Sequence, residues 1–107
     1  MLFGNLTKLV ANERNYLRFM RSIEERNILV AVGQAMESGQ AIGYKQLVLM
    51  GVASPSTLSR KLKRLIAAGA IRKVVPKHDG RMVAYSLTKT AMEGFRRYER
   101  LLRGLHW

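Results

Sequence analysis

The stretch SPSTLSRKLKRLIAAGAIRKVVPKHDGRMVAYSLT, residues 54–88, decides how this chain folds. Its first half reads as a capped helix. Ser54 is a natural N-cap, and Pro55 suits the first helical position because its missing N–H is one that a helix start leaves unpaired. Leu58, Leu62, Leu65 and Ile66 recur at three- and four-residue spacing and form one apolar face. Gly69 stands where a helix stops in a left-handed residue. The other half places Asp79-Gly80 between two β-prone runs, a strong local hairpin signal. A two-residue loop there pairs His78 with Arg81 and Val74 with Tyr85. Pro76 puts the first strand at an edge, since it has no N–H to give a neighbour.

Upstream, YKQLVLMG (44–51) predicts a short helix that buries Leu47, Val48 and Met50 and closes at Gly51. EERNILVAVGQAMES (24–38) predicts a longer one, with Ile28, Leu29, Val32, Ala35 and Met36 inward and Gly39 as its stop. Leu2, Phe3, Leu6, Leu9 and Val10, followed by Leu17 and Met20, form a helical stripe at the N-terminus. Downstream, Thr88 caps a last helix with Ala91, Phe95, Tyr98, Leu102 and Leu105 along one side. The order is helix, helix, short helix, tight turn, helix, hairpin, helix. The expected fold is mainly α with a small β-hairpin wing, a winged helix-turn-helix.

The chain has 107 residues, 48% of them hydrophobic, enough for one domain with a core and too apolar for general disorder. Nineteen lysines and arginines face seven acids, a net charge of +12. Most of the excess lies in residues 38–92, where ten basic residues meet one acid, Asp79. Such a field favours nucleic acid, an anionic membrane or an acidic partner. The absence of cysteine excludes disulfides, thiolate metal sites and cysteine nucleophiles. His78 and His106 have neither triad nor metal spacing, so no catalytic residue, metal or cofactor is expected. The N-terminus does not read as a secretory signal, and no stretch approaches the roughly 18–20 apolar residues of a membrane span. The expectation is a soluble cytoplasmic protein that is not an enzyme.

The 54–67 helix turns Ser56, Thr57, Arg60, Lys63, Arg64 and Ala67 away from its leucines. Small hydroxyls at its start permit close approach to base edges in a major groove, and Arg60 is long enough to reach a guanine edge or a phosphate. Lys61, Lys63 and Arg64 suit phosphates, and Ser54 with the helix N-terminus suits another. With Lys77, Asp79 and Arg81 of the wing, these make up the expected DNA-binding set. Asp79 has two readings. It serves the turn alone, or its carboxylate also braces the Arg81 guanidinium so that it enters a narrow minor groove in a fixed direction. Three rivals to specific DNA binding are compatible with the sequence. One is a winged-helix protein-interaction or RNA-binding module, and another is a nonspecific architectural DNA-binding protein. The third is an anionic-membrane binder using Arg96, Arg97, Arg100 and Arg103 of the last helix.

The segments SPSTLSRKLKRLIAAGAIRK and HDGRMVAYSLT resemble the MarR family of winged-helix regulators over residues 42–90. The former is similar to that family's recognition helix and the strand after it. The latter is similar to its wing, with an Asp-x-Arg tip. The resemblance implies that the Ser54–Arg64 helix reads the major groove and that Asp79 and Arg81 form a braced minor-groove arginine. It also implies a homodimer joined by the terminal helices, about 1–22 and 88–106, flanking the helix-turn-helix and wing at 42–90 within a single domain, 1–107. The partner it implies is pseudo-palindromic double-stranded DNA, and the family habit is repression. Many members take a small phenolic effector. Here the chain stops earlier than is usual, so the effector is left open; as a further departure, Ala91 stands where a glycine is common.

Overall fold

The computed structural model describes residues 1–75 and 82–105. In chain order it contains α1 (Leu2–Tyr16), α2 (Ile23–Glu37), α3 (Tyr44–Leu49), α4 (Pro55–Ala67), β1 (Ile71–Val74), β2 (Ala84–Leu87) and α5 (Lys89–Gly104). The fold is therefore a mainly helical winged helix-turn-helix. Three of the helix starts are capped by hydroxyls. Ser22 Oγ accepts from the Glu25 amide, Ser54 Oγ from the Thr57 amide and Thr88 Oγ1 from the Ala91 amide. α4 ends where Gly69 takes φ +77°, which lets the Ala70 amide return to the Leu65 carbonyl at 2.9 Å. Thr88 Oγ1 donates to the Gly69 carbonyl at 2.6 Å, so the start of α5 is fastened to the end of α4.

The core forms where α2, α3, α4 and the two strands meet. Ile28, Leu29 and Val32 of α2, Leu47 of α3, and Leu58, Leu62 and Leu65 of α4 are buried there, closed by Ile42, Ile71, Leu87 and Ala91. Met50 departs from its expected inward position and is exposed. α3 ends at Leu49, and Met50 is already the cap before the left-handed Gly51, off the buried face.

The hairpin register also departs from the two-residue-loop reading. Val74 pairs with Ala84 rather than Tyr85, and Ile71 pairs with Leu87. The core explains the shift. Ile71 and Leu87 are both buried, whereas the two-residue loop would set Ile71 opposite Thr88, whose hydroxyl is occupied by the α5 cap. A one-residue slip exchanges the faces of a strand, so the side with the larger apolar burial wins. The expected His78–Arg81 pair and Pro76 lie outside the described residues. β2 has a further neighbour that the sequence pattern does not announce, because the Tyr85 amide donates to the Ile42 carbonyl at 2.8 Å.

α1 and α5 pack against each other beside this core. Gly94 of α5 is the contact point. A Cβ placed there would lie 2.5 Å from the Tyr16 carbonyl oxygen, closer than atoms can approach. Gly94→Ala is therefore expected to push α5 off the end of α1 and to cost about 1–3 kcal/mol, read as a lowered melting temperature. An unchanged melting temperature would show that the two helices are free to separate there.

Candidate nucleic-acid interface

Burial of Leu58, Leu62 and Leu65 fixes which side of α4 meets solvent. Ser54, Ser56, Arg60, Lys63 and Ala67 are exposed, while Thr57 and Lys61 are half-buried at the edges of the face. α4 itself contains no acidic residue. Among the described residues, Arg60, Lys61 and Lys63 form no ion pair. Exposed Lys45 of α3 and exposed Arg72 and Lys73 of β1 add charge from neighbouring elements. The expected wing residues Lys77, Asp79 and Arg81 lie outside the described residues, as do His106 and Trp107.

α4 is held in position by its neighbours. The Tyr44 hydroxyl donates to the Pro55 carbonyl at 3.0 Å and accepts from Ser59 Oγ at 3.1 Å. These bonds join the start of α3 to the first turns of α4, the two helices of the helix-turn-helix. From sequence alone Tyr44 is a packing residue and Ser59 has no role.

Arg64 is the site residue whose placement differs most from its expected task. Its Nε donates to Glu25 Oε2 and its Nη2 to the Phe19 carbonyl. The guanidinium therefore faces the joint between α1 and α2. Glu25 is fully buried, and its other oxygen accepts from the Arg21 amide at 2.7 Å. Burial by itself pushes the Glu25 carboxyl upward. The Arg64 hydrogen bond, the Arg21 amide and the charges of Arg64 and Lys61 together outweigh it and hold the group below the usual carboxylate range. The sequence does carry a signal for Glu25, since Ser22-Ile23-Glu24-Glu25 has the S-x-x-E spacing of a helix start.

Another polar cluster joins α1, α2 and α5. Glu13 pairs with Arg26 and accepts from the Tyr98 hydroxyl at 3.0 Å. Burial first, then the Glu13 hydrogen bond, raises the Tyr98 phenol above its ordinary value. Phe95 packs on Phe19 of the same chain, with ring centroids 6.0 Å apart. Among the described residues, no helix is long and apolar enough to cross a membrane.

A helix-turn-helix with a two-stranded wing and an acid-free, outward basic face on its second helix defines a winged-helix regulator. The family model for the transcriptional regulator SarA/Rot matches residues 17–97, and the chain belongs to that family. The family is one of MarR-like winged-helix regulators, not of enzymes, in agreement with the resemblance carried by residues 42–90. Solved structures share the fold, among them three bacterial and archaeal proteins. The transcriptional regulator BldR from Sulfolobus solfataricus is 18% identical, with 94% of this chain and 68% of that chain covered and a TM-score of 0.60. The transcriptional regulator Tm0710 from Thermotoga maritima is 24% identical, with 96% and 70% covered and a TM-score of 0.64. RV1404 from Mycobacterium tuberculosis is 21% identical, with 96% and 70% covered and a TM-score of 0.68. No curated protein sequence matches the chain.

The Glu25 carboxyl makes stability depend on pH in a definite direction. Its folded value lies below the unfolded value of 4.5. Its contribution is therefore complete well above pH 4.5 and is lost as pH falls through the depressed folded value. Glu25→Gln is expected to melt below wild type at pH 7, with the gap closing as pH is lowered through and beneath 4.5. A gap that stays constant with pH would remove the ionised pair from the stability balance.

Proposed function

We propose that this regulator binds double-stranded DNA as a symmetric homodimer, with α4 in the major groove and the wing arginine Arg81 in the minor groove. The observation that carries the reading is the outward face of α4. It is capped at Ser54, oriented by Tyr44, free of acids, and exposes Arg60 and Lys63. Ser54, Ser56 and Thr57 bring the helix start close to the groove, Arg60 reads a base edge, and Lys61 and Lys63 neutralise phosphates. Arg64 is left out of the contacting set because Glu25 and Phe19 occupy its guanidinium. The wing assignment of Lys77, Asp79 and Arg81, with Asp79 as the brace, rests on the sequence pattern and the MarR resemblance.

Dimerisation is supported by α1. Leu2, Phe3, Leu6 and Val10 are exposed on it, a row of large apolar side chains that another copy can cover. Phe95 and Tyr98 are already engaged within one chain, which leaves the joint surface mainly to α1 and the end of α5. A two-fold dimer matches an inverted repeat with half-sites about one helical turn apart. Repression is the family habit, the cytoplasm is the compartment expected from the sequence, and the basic face serves an activator equally well. No effector is assigned.

Selection from random duplex DNA at two salt concentrations tests the proposal. An enriched inverted repeat is the expected result. Binding without a motif that vanishes at higher salt would instead make this a nonspecific basic protein. Arg60→Ala is expected to cost about 1–3 kcal/mol and to relax preference at one base position, whereas Lys63→Ala weakens all duplexes alike. Asp79→Ala is expected to weaken binding although it removes a negative charge, and tighter binding would leave only charge repulsion at that position.

A further inference from the structure

We infer that Glu25 and Arg64 are positioning residues that fix the distance between the two recognition helices of a dimer, and so select the spacing of the DNA half-sites. This rests on the dimeric DNA-binding reading given above.

The inference starts from the α1–α2 joint, residues 17–22. Three elements converge on it. Leu17 is buried in the interior. Phe19 packs on Phe95 of α5, and Gly94 of α5 abuts the Tyr16 carbonyl. Arg64 of α4 reaches the Phe19 carbonyl and, through buried Glu25, the Arg21 amide. On one side of the joint is α1, with its exposed apolar row. On the other is α4, with the DNA-facing side chains. Tyr44 holds α4 to α3, within the helix-turn-helix itself. Arg64 holds α4 to the joint at the end of the helix expected to bear the dimer contact, through the Phe19 carbonyl and through Glu25 at the start of α2.

Apolar packing alone leaves a helix some freedom to rock, because the hydrophobic effect is non-directional. A guanidinium fork whose hydrogen bonds end on a buried carboxylate and a backbone carbonyl fixes direction as well as distance. The size of the lever shows why this matters. α1 has 15 residues and is therefore about 22 Å long. A tilt of about 10° at the joint would move its far end by about 4 Å, roughly the rise of one base pair. Loss of the tie therefore need not change how one α4 reads one half-site, but it blurs where the α4 of the other copy lands.

The test compares wild type, Glu25→Gln and the double variant Glu25→Leu/Arg64→Met in duplex selection, followed by titration of two probes. One probe is the selected inverted repeat and the other is a duplex carrying a single half-site. The double variant removes both charges and leaves neither stranded, so it carries the test if Glu25→Gln unfolds. The expected result is the same half-site motif with a broadened range of spacings. Affinity for the full repeat is expected to fall about tenfold, with the single half-site bound within about twofold of wild type. Equal spacing sharpness, or an equal loss on both probes, would reduce the pair to a stability element and overturn the inference. If wild type itself enriches no inverted repeat, the dimeric reading and this inference fall together. If wild type enriches one and the variants keep its spacing, only the inference falls.

Discussion

A carboxylate with no exposure to water governs much of this structure. An ionised group of that kind is tolerated only where charge and hydrogen bonds replace the lost hydration. Glu25 obtains them from Arg64 and from the Arg21 amide. The two sources lie on different elements, so satisfying one side chain fastens α4 to the α1–α2 joint. The requirement is asymmetric. Removal of either partner strands the other, whereas removal of both need not cost stability. Such a pair is therefore better regarded as a device for holding geometry than as a store of folding energy.

The rest of the site follows from how α4 is seated. Its leucines settle the rotation of the helix, and the outward direction of Arg60 and Lys63 is a consequence of that burial. Tyr44 holds the first turns and Arg64 the last, one from within the helix-turn-helix and one from the joint. Electrostatics then acts on a frame already set. In the proposed reading, the excess positive charge of residues 38–92 would draw a polyanion from a distance, whereas sequence reading would depend on where a few side chains stand.

Features whose cause is local were legible in the sequence. The caps at Ser54 and Thr88, the stop at Gly69 and the leucine face of α4 each depend on residues within a turn or two, and all appear as the periodicity requires. Features decided by distant neighbours were not legible. The hairpin register turned on whether Leu87 or Thr88 faced Ile71, a question answered by the core and not by Asp79-Gly80. Gly94 has the sequence signature of a weak point in a helix, yet it is where the Tyr16 carbonyl approaches. Arg64 has the correct helical phase to face solvent, and the buried carboxylate of another helix together with the Phe19 carbonyl draws it inward. Helical phase says which way a side chain starts, and for a side chain as long as arginine that does not determine where its charge ends.

That distinction bears on how the proposed specificity would arise in so basic a chain. With many cations and few acids, a further phosphate contact adds affinity for every duplex alike and sharpens nothing. Discrimination needs side chains whose directions are restricted, and restriction in this protein comes from its scarce acids and hydroxyls. Ser59 and Tyr44 orient the start of α4, and Glu25 orients its end. Glu13 does the same for Arg26 beside Tyr98. Of the seven acids in the sequence, three are paired with arginines among the described residues, Glu13 with Arg26, Glu25 with Arg64 and, at the exposed end of α5, Glu99 with Arg103. A positively charged surface becomes selective to the extent that some of its charge is withheld from the ligand and used to hold the remainder in place.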